Sequence, residues 1–490
     1  MPKFSFTNLS KRIRFLSSDE ISEIYAGALE LLNEKGAKYH NSEALRIISD
    51  NGGEVNKKDM VARLPEGLIK ESVVKAPSKI SLHDRNGKLA IVLEQSNIIF
   101  NPGSTAIKII DMDSGEIRKP NSKDFIDFVR LTDALDNIKA QSTALVVSDV
   151  NQNIVDRYRL YTVLKNSTKP VITGAFTKDG VRDMKKMLAI AMGEEILLKK
   201  PMAIFDVCPH SPLVWSEVAS QNLIDCSRFM IPAEIVPMPL AGALSPTTLA
   251  GTLVQHTAEA LSGIVLSQST NPKAPVIYGS SASIFDMRFG TTPMGAIESM
   301  MIQCCASEIG KYLGLPVHAY LGLSDSKTID AQSGFESGIG IVMGTLAGIN
   351  VISGPGMLDF ESCQSFEKLI IDNEICGQAI RLSKGINFSN ETLAIDLIKT
   401  IAHEGNFLTS KHTLNWFKKE QHIPSSVLDR KTRLDRKYKP ESICKRAILH
   451  AKKLLSEHKV ERLDPDIERK LDNFMKNKIR SRSLGFPTYQ

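Results

Sequence analysis

Long apolar runs are missing from this sequence. No run reaches the roughly 18 residues that a membrane-spanning helix needs. The first fifteen residues include basic side chains but no apolar core after them, as a secretory signal would require. We therefore predict a cytoplasmic protein that does not enter a membrane.

Paired cysteines and aromatic residues are also scarce. The seven cysteines show no CxxC spacing and too low a density for a disulfide scaffold, so reduced thiols are expected. Aromatic residues make up 6% of the chain, against 42% hydrophobic and 24% charged residues. This composition is typical of a soluble globular enzyme rather than of a disordered or fibrous protein.

Positive charge is concentrated at one end of the chain. The net charge is +6, and residues 429–490 hold eighteen Lys and Arg against nine Asp and Glu. The run KRAILHAKKLLSEHKVERL is amphipathic and mixes both signs, which favours a solvated helical face over a nucleic-acid surface. We predict a C-terminal basic helical extension over 386–490 and no nucleic-acid partner.

The first 95 residues predict a small unit of helices and a hairpin. Ser17 or Ser18 can cap a helix that runs to Gly36, and a second helical pattern covers 42–49. Pro65 fits the first turn of a third helix. The Asn86-Gly87 pair between two apolar runs predicts a two-residue hairpin turn.

From residue 96 to 385, short β-rich runs alternate with helical patterns, which is typical of parallel strands joined by crossover helices. Eight strands are predicted, over Asn97–Gly103, Ala140–Ser148, Pro170–Phe176, Pro201–Cys208, Ala233–Pro239, Pro275–Ser281, Pro316–Gly322 and Ile349–Gly356. Eight such units without a GxGxxG fingerprint favour an α/β fold of the TIM (β/α)8 barrel type over a doubly wound sheet.

Two local features add detail to this barrel. Residues 109–118 predict a hairpin inserted after the first strand, with its turn at Asp113-Ser114-Gly115. Ser245 is predicted to cap the helix after the fifth strand, with Pro246 at its first position.

In such barrels the chemistry lies at the carboxyl ends of the strands. These ends hold no His, Cys and Glu set at zinc spacing and no lysine placed for a Schiff base, so no metal site is predicted. The residues found there are Asn101, Asp206, Cys208, His210, Tyr278, Gly279, Ser280, Phe285, Asp286, His318, Tyr320, Gly322, Leu323, Asp325, Gly354 and Gly356.

Aromatic side chains in this set suit a methylated ammonium ion, because ring faces attract cations. Tyr278, Phe285 and Tyr320 are the candidates for such a cage, and packing in the barrel core is an equally good interpretation of each. Arg288 can pair with a substrate carboxylate, although a structural salt bridge is the commoner role of a lone arginine.

Polar residues in the set are assigned to orientation and charge. His318 and His210 are candidate acids, bases or polar orienters. Asn101, Asp206 and Gln332 are assigned to substrate binding. Two residues outside the set, His256 and Glu259, lie three apart on one helix and are interpreted as a structural hydrogen-bonded pair.

Small residues are dense at the strand ends. Gly279, Ser280, Gly322, Gly354 and Gly356 allow backbone to approach something bulky, and a large flat cofactor is one explanation. Tight strand-to-helix turns are the other explanation, and for any single glycine the more common one.

Several long segments resemble the trimethylamine:corrinoid methyltransferase family. They are VCPHSPL, SPTTLAGTLVQHTAEALSGIVL, VIYGSSASIFDMRFGTTPMGAIE, VHAYLGLSDSKTIDAQSGFES and SGPGMLDFESCQSFEKLIIDNEI, and the resemblance extends from the N-terminal helices to the C-terminal ones. It implies a TIM barrel that presents a small methylated amine to the Co(I) corrinoid of a separate partner protein. We also predict a homo-oligomer.

One position departs from that family. The trimethylamine enzyme has pyrrolysine where this sequence has Leu323, before Ser324-Asp325-Ser326-Lys327. A leucine cannot form the amine adduct attributed to pyrrolysine, so the sequence resembles members that act on quaternary amines such as glycine betaine. A trimethylamine enzyme with leucine at this position, a TIM-barrel lyase or isomerase, and a non-catalytic scaffold for the corrinoid protein are the alternatives.

A quaternary amine also simplifies the chemistry that the protein must perform. It leaves as a neutral tertiary amine and needs no proton, so the protein has to desolvate the cation, aim one methyl group and exclude water. Asp286 or Asp325 is a candidate counter-charge. We expect packing and cation–π contact to matter more than a direct carboxylate contact, since an overly tight ion pair would slow departure of the methyl group.

Overall fold

A computed structural model describes residues 13–94, 97–403, 405–433 and 439–481. The predicted boundary between residues 95 and 96 lies outside the described residues. The helices are Ser18–Glu34 (α1), Ser42–Asp50 (α2), Glu66–Lys75 (α3), Ser122–Ala134 (α4), Val155–Asn166 (α5), Gly180–Met192 (α6), Glu194–Lys199 (α7), Glu217–Arg228 (α8), Leu249–Thr270 (α9), Ile297–Tyr312 (α10), Ala331–Ala347 (α11), Phe366–Ser383 (α12), Asn390–Leu393 (α13), Ile395–Ile401 (α14), Lys411–Glu420 (α15), Ile443–Glu457 (α16) and Pro465–Ser481 (α17).

The strands are short. They are Ala37–Tyr39 (β1), Glu54–Asn56 (β2), Val61–Arg63 (β3), Ile80–His83 (β4), Leu89–Leu93 (β5), Ile99–Asn101 (β6), Lys108–Ile110 (β7), Ile117–Arg118 (β8), Gln141–Ser142 (β9), Val171–Thr173 (β10), Ala203–Val207 (β11), Val214–Trp215 (β12), Ala233–Ile235 (β13), Leu240–Ala241 (β14), Val276–Tyr278 (β15), Ser283–Ile284 (β16), His318–Tyr320 (β17), Val351–Ser353 (β18), Met357–Leu358 (β19) and Cys363–Gln364 (β20).

Each of the eight predicted strands contains one strand of a parallel sheet. Five of them pair in the order β15-β13-β11-β10-β9, and three pair in the order β17-β18-β6. One parallel bridge, between Tyr278 and Val317, links the two sheets at β15 and β17. At the other edges, Lys139 N donates to Phe100 O at 3.0 Å.

Helices separate these strands as predicted. α4, α5, α6, α8, α9, α10 and α11 each lie between two consecutive members of the set, and α12 follows the last one. The predicted hairpin after the first strand is confirmed, because β7 and β8 pair antiparallel. The predicted start of α9 is wrong: the helix begins at Leu249, since the backbone N–H of Ser245 is already bonded to Leu240 O at 3.0 Å in a preceding turn.

The hairpin predicted at Asn86-Gly87 is confirmed, and it closes the amino ends of the parallel strands. The predicted two-residue turn is wrong: the turn holds Arg85, Asn86 and Gly87, because Asp84 N donates to Lys88 O at 2.9 Å. β4 and β5 pair antiparallel across this turn. Their inward residues form an apolar cluster with strand residues of both parallel sheets, namely Ile80, Leu82, Ile91, Leu93, Ile99, Ala140, Ile172, Ile204, Ile277 and Val351. Burial of this cluster removes the amino end from solvent. The opposite ends of the strands are left for the site.

The N-terminal helices form where the sequence signals placed them. Ser17 caps α1 and completes a capping box with Glu20, which satisfies two of the free N–H groups at the helix start. Pro65 occupies the cap position of α3, one residue before the predicted first turn. These helices pack on α9, and β1 pairs with β12 from the loop that follows β11.

The basic C-terminal helices pack on the parallel-sheet unit through a buried apolar face. α16 buries Ala447 and Ala451, whereas α17 buries Leu471 and Met475. Some of the charges pair with helices that flank the parallel sheets; Lys478 lies 2.6 Å from Asp183 of α6. The basic pattern therefore serves intramolecular packing as well as the solvated face. Among the described residues, no helix combines the length and apolarity that crossing a bilayer demands.

Candidate functional site

A cavity of about 460 Å³ opens at the carboxyl ends of the parallel strands. The ends of β11 and β17 and the loops after β10, β13 and β15 contribute to its wall, and so does the loop between β19 and β20. Its aromatic and polar wall residues include Phe176, Asp206, Cys208, Tyr320, Phe360 and Glu361. Two residues predicted from the strand ends as substrate contacts, Asp206 and Tyr320, thus face one cavity.

Two carboxyl groups, Asp206 and Glu361, face this cavity without a directly bonded cation among the described residues. Neither Asp206 nor Glu361 has a hydrogen bond or ion pair to any of the described residues, and Asp206 Oδ1 is a buried, unpartnered oxygen. Burial raises the pKa of Glu361 to about 8, and the charge of Asp206 contributes. Burial, then the charge of Glu234, raises the pKa of Asp206 well above its usual range.

Phe360 and Glu361 belong to a run of left-handed backbone. The φ angles of Asp359, Phe360 and Glu361 are 51°, 53° and 67°, a region that residues other than glycine rarely adopt. The run is held from outside: Asp359 accepts Lys108 Nζ at 2.9 Å, and Lys327 Nζ lies 3.6 Å from the centre of the Phe360 ring. Such backbone strain persists only where the surroundings impose it, and it clusters at functional sites.

Arg159 is a buried residue of α5 that acts electrostatically on Asp206, and the sequence analysis did not identify it. The guanidinium of Arg159 donates to Thr143 O and lies 5.1 Å from the centre of the Phe176 ring, while its Nε and Nη1 have no partner among the described residues. Burial lowers its pKa to about 10, so it stays charged at neutral pH. Its charge stabilises the ionised form of Asp206.

His318 is the centre of a hydrogen-bonded chain across four strands. Its Nδ1 contacts a carboxylate oxygen of Glu234 on β13, and its Nε2 lies 2.8 Å from Ser353 Oγ on β18. Ser353 Oγ donates to Asn101 Oδ1 on β6 at 2.8 Å. Two sequence-predicted residues, His318 and Asn101, are therefore joined, although neither lines the cavity.

The direction of this chain follows from Ser353. Because its hydroxyl proton goes to Asn101, its oxygen accepts the Nε2–H of His318, which leaves Nδ1 as the acceptor in the neutral ring. Burial lowers the pKa of His318 to about 4 and raises that of Glu234 well above its usual range. A raised pKa favours the protonated form of Glu234, whose proton would lie between its carboxyl group and His318 Nδ1.

Ser353→Ala tests this chain. The change leaves the His318 Nε2–H and the Asn101 oxygen buried without a partner, so we expect the free energy of unfolding to fall by about 1–3 kcal/mol. Denaturant unfolding measures it. Ser22→Ala is the matched control, because Ser22 bonds to Ser18 O at 2.9 Å on an exposed face. Equal effects of the two changes would show that the chain contributes nothing.

Leu323, at the position of the family's pyrrolysine, and Asp325, a candidate counter-charge, are buried in the loop after β17 rather than exposed in the cavity. Leu323 is 1% exposed. Asp325 accepts the backbone N–H groups of Met294 and Gly295 at 3.0 and 2.8 Å. Burial raises its pKa to about 7, against the lowering effect of the Gly295 N–H. Asp325 thus ties two strand-end loops together.

Glu336 on α11 extends this tie. It accepts Ser324 Oγ at 2.5 Å and Asp325 N at 2.8 Å. Gln332, which the sequence assigned to substrate binding, donates to Glu336 at 2.9 Å and lies outside the cavity wall. Leu323, Asp325 and Gln332 therefore lie outside the cavity wall, and their predicted roles stay predictions.

The Tyr278 side chain packs against α9 and does not line the cavity. Its hydroxyl donates to Thr257 of α9 at 3.1 Å, and its ring packs 5.5 Å from that of His256. The predicted cage role does not fit this position. The structural role predicted for Glu259 fits, because it accepts Ser211 Oγ at 2.8 Å and Leu213 N at 3.0 Å. The predicted hydrogen bond between His256 and Glu259 is wrong, since His256 Nδ1 contacts Tyr278 and its Nε2 has no partner among the described residues.

Phe285, Asp286 and His210 also lie outside the cavity wall. Asp286 binds Arg288 at 2.6 Å on the surface, and this partner lowers its pKa to about 2. Arg288 is therefore engaged locally, as the salt-bridge interpretation of it stated. His210 is exposed and contributes backbone hydrogen bonds to Val214.

The glycines at the strand ends pack against the protein itself. A Cβ at Gly279 would lie 2.8 Å from Ile235 O, and one at Gly322 would lie 2.5 Å from Pro355. Gly354 and Gly356 have φ angles of 124° and 90°, which favour glycine whatever lies nearby. Ser280 is buried and donates its backbone N–H to His318 O at 3.1 Å. Tight turns and close strands account for these small residues, and a flat cofactor is not needed to explain them.

Comparisons with known proteins agree with the sequence resemblance. The sequence model described as "Trimethylamine methyltransferase (MTTB)" matches residues 4–483. Trimethylamine methyltransferase MttB of Desulfitobacterium hafniense (strain DSM 10664 / DCB-2) is 35% identical over 421 residues, 85% of this chain and 84% of that protein. Glycine betaine methyltransferase of Desulfitobacterium hafniense (strain Y51) is 31% identical over 471 residues, 95% of this chain and 97% of that protein.

A solved structure shares the fold. The crystal structure of the Methanosarcina barkeri monomethylamine methyltransferase (MtmB) aligns with a TM-score of 0.55 and 10% identity, and the alignment covers 98% of this chain and 90% of that chain. This likeness concerns the mixed α/β fold alone. The identity of the family follows from the sequence matches: the chain belongs to the trimethylamine methyltransferase family, a family of methyltransferases.

Proposed function

We propose that this protein transfers a methyl group from a cationic methylated amine to the corrinoid of a partner protein. The observation that carries the proposal is the cavity with two unpaired carboxyl groups, Asp206 and Glu361, beside aromatic rings. A methylated ammonium ion matches both features, since it carries charge and presents apolar methyl groups. Family membership gives the reaction class.

We also propose that the two parallel sheets are one closed (β/α)8 barrel. Three features support closure: the bridge between β15 and β17, the Lys139 to Phe100 hydrogen bond between the segments of β9 and β6, and the shared apolar cluster under both sheets. The strands then follow one another around the barrel in chain order. The cavity lies at the carboxyl end, where barrels of this kind hold their chemistry.

Within the cationic amines, we propose a quaternary substrate. Leu323 is fully apolar and buried, so it offers no group for an amine adduct at the position where the family resemblance places pyrrolysine. The similarity to a protein named glycine betaine methyltransferase spans nearly the whole of both chains. Similarity to a protein named trimethylamine methyltransferase makes trimethylamine the competing substrate in the test.

The corrinoid, when its carrier docks, supplies a reduced cobalt that accepts the methyl group. The small residues at the strand ends, predicted to let backbone approach a flat cofactor, do not fit the corrinoid, because they pack against the protein itself. The segments around β14 and β16 fit better. They expose Met238, Leu244, Met287 and Phe289, which are 41, 43, 67 and 75% accessible. A rim of exposed apolar side chains suits a protein partner or an apolar macrocycle face.

The residues of this chain then have three tasks. Asp206 and Glu361 hold the positive nitrogen, the rings of Tyr320, Phe176 and Phe360 pack against the methyl groups, and the cavity wall displaces water. Displacement of water strengthens the attraction between the cation and the carboxylates. Orientation of one methyl group toward the open end follows from holding the nitrogen below it.

An assay of purified protein with cob(I)alamin tests the proposal. We expect methyl transfer from tetramethylammonium, glycine betaine or carnitine, detected by the change in the corrinoid absorption spectrum, and none from trimethylamine. Transfer from trimethylamine alone would contradict the quaternary assignment, and no transfer from any of them, with either free cobalamin or a corrinoid protein, would contradict the reaction.

A further inference from the structure

Asn222 of α8 brings an unused hydrogen-bond acceptor to the cavity wall. Its Nδ2 donates to Ala175 O at 2.8 Å, and because a backbone carbonyl only accepts, this bond fixes the orientation of the amide. Its Oδ1 has no partner among the described residues, although Asn222 is only 4% exposed. A buried acceptor without a donor is costly, so a ligand O–H or N–H that reaches it gains free energy.

The charged side chains of the wall are acidic. Asp206 Oδ1 is buried without a partner, and Glu361 has no hydrogen bond or ion pair to the described residues. Within the described chain, no lysine, arginine or histidine lines the cavity. The wall hydroxyls, such as those of Ser104 and Ser281, are neutral and can donate or accept. The wall thus matches a cation and opposes an anionic group on the same ligand.

The charge of the ligand also acts on the two carboxyl groups. Burial is the largest cause of the raised pKa of Asp206 and of Glu361. An enclosed cation favours their ionised forms, whereas a carboxylate on the ligand opposes ionisation. A zwitterionic betaine brings both effects into one cavity, so it gains less than a ligand that carries the cation alone.

Two positive features lie near the cavity, and neither presents a free cationic side chain to a ligand. The Arg159 guanidinium is fully buried and does not line the cavity; it lies 5.1 Å from the centre of the Phe176 ring. The first turn of α8 does line it. There Ser216 Oγ already accepts Ala219 N at 3.1 Å, and Glu217 adds a carboxyl group to the same turn.

We propose that the substrate is a quaternary ammonium alcohol: an N-methylated cation with a hydroxyl group that donates to Asn222 Oδ1, and with no carboxylate. The inference rests on the proposed function and narrows its substrate class, with Asn222 as the specificity-determining residue. The methyl group passes to the reduced corrinoid, and the electron pair of the broken C–N bond stays on nitrogen. The product is a neutral tertiary amino alcohol.

Isothermal titration calorimetry of the purified protein with four probes tests this assignment. Choline has both features, ethyltrimethylammonium has nearly the same shape without the hydroxyl, glycine betaine has a carboxylate instead, and tetramethylammonium is the bare cation. We expect choline to bind about five- to tenfold more tightly than ethyltrimethylammonium. We expect it to bind at least about thirtyfold more tightly than glycine betaine, because like charges repel in a desolvated site.

Three results of this titration would overturn the proposal. The first is equal binding of choline and ethyltrimethylammonium, which would mean that the hydroxyl meets no acceptor. The second is tighter binding of glycine betaine than of choline, which would assign a carboxylate site to Arg159 or to the start of α8. The third is binding of none of the four ions.

Asn222→Ala tests the acceptor itself. The change also removes the bond to Ala175 O, so the readout is the ratio of the dissociation constants of ethyltrimethylammonium and choline, in which a general disturbance of the wall cancels. We expect this ratio to fall to about one. Asn166→Ala is the matched control, because Asn166 Nδ2 donates to Thr162 O at 2.9 Å on α5, outside the wall. It should keep the native ratio. A preference for choline that persists in Asn222→Ala would refute the role of Asn222.

Methyl transfer to cob(I)alamin or to a corrinoid protein separates this inference from the proposed function. We expect choline to have the highest kcat/KM of the four probes. A higher kcat/KM for glycine betaine would overturn the inference and leave the proposed function standing. Transfer from none of the quaternary ions, together with the expected preference for choline in binding, would overturn the proposed function and leave the binding preference in place.

Discussion

Asp206→Asn is expected to weaken binding of tetramethylammonium by about 2 kcal/mol, or roughly thirtyfold in Kd. The reason is the environment of this carboxylate. It lies in the cavity wall without a hydrogen bond or ion pair to the described residues, and the charge of Arg159 favours its ionised form. An asparagine keeps the shape and removes the charge. Isothermal titration calorimetry of the purified protein measures the change.

Two further variants test whether the loss of binding is specific to Asp206. Asp396→Asn is the control for loss of one negative charge, because its side chain is fully exposed on α14. Asp286→Asn separates the structural site from the sequence-based one, since Asp286 is bound to Arg288 on the surface. We expect both to bind tetramethylammonium as the native protein does. Weaker binding to Asp286→Asn than to Asp206→Asn would place the site at the β16 loop instead.

The same variant links the two carboxyl groups. The negative charge of Asp206 helps to raise the pKa of Glu361, so Asp206→Asn should lower that pKa. The pH at which Glu361 loses its carboxylic acid band in the infrared spectrum should then be lower than in the native protein. An unchanged midpoint would mean that the two groups do not interact across the cavity.

The strands of this fold were predictable because each is a short apolar run between turn signals. All eight runs contain a strand of the parallel sheets, and the hairpin at Asn86-Gly87 lies where its dipeptide predicts. The apolar runs alone do not predict where that hairpin packs. Its packing under six strand segments depends on contacts far apart in sequence, which local patterns do not encode.

The site was only half predictable for a similar reason. Asp206 and Tyr320 were predicted because they lie at strand ends, and the structure places both in the cavity wall, where their predicted role stays a prediction. Phe360 and Glu361 lie in the loop between β19 and β20, beyond the last of the eight predicted strands, and left-handed backbone at Asp359, Phe360 and Glu361 accompanies their position in the cavity wall. No composition signal predicts such a turn, since it contains no glycine.

Tyr278 is a strand-end residue that was predicted to contact substrate but does not line the cavity. It lies at the end of β15, yet side chains alternate between the two faces of a strand, so half of the residues at strand ends point toward the helices. Its contacts with Thr257 and His256 of α9 place it on that outer face. With strands of three residues, the sequence alone leaves the choice of face open.

The largest effect on stability is expected from Lys368→Met. Lys368 is fully buried on α12; its Nζ lies 2.6 Å from both oxygens of Asp372 and 2.6 Å from Ser337 Oγ of α11. Asp372 in turn accepts the N–H of Gly356 at 2.7 Å. Removal of the lysine leaves a buried carboxylate unpaired, so we expect the free energy of unfolding to fall by about 3–5 kcal/mol.

Lys399→Met is the matched control for the loss of a lysine charge. Its side chain is 73% exposed and lies 3.6 Å from Asp396, so its removal should cost about 0–1 kcal/mol. Urea unfolding monitored by circular dichroism measures both variants. The double variant Lys368→Met with Asp372→Leu should recover part of the loss, because it removes the orphaned charge. Similar losses in the two single variants would refute the buried pair.

The pH dependence identifies the cause of the loss. Burial raises the pKa of Asp372 and the charge of Lys368 lowers it, so the pKa rises further in Lys368→Met. A carboxyl group with a raised pKa in the folded state binds protons better there than in the unfolded chain, and stability then falls as pH rises toward that pKa. The deficit should therefore shrink under mildly acidic conditions. A deficit that is independent of pH would instead assign the loss of stability to the packing of α12.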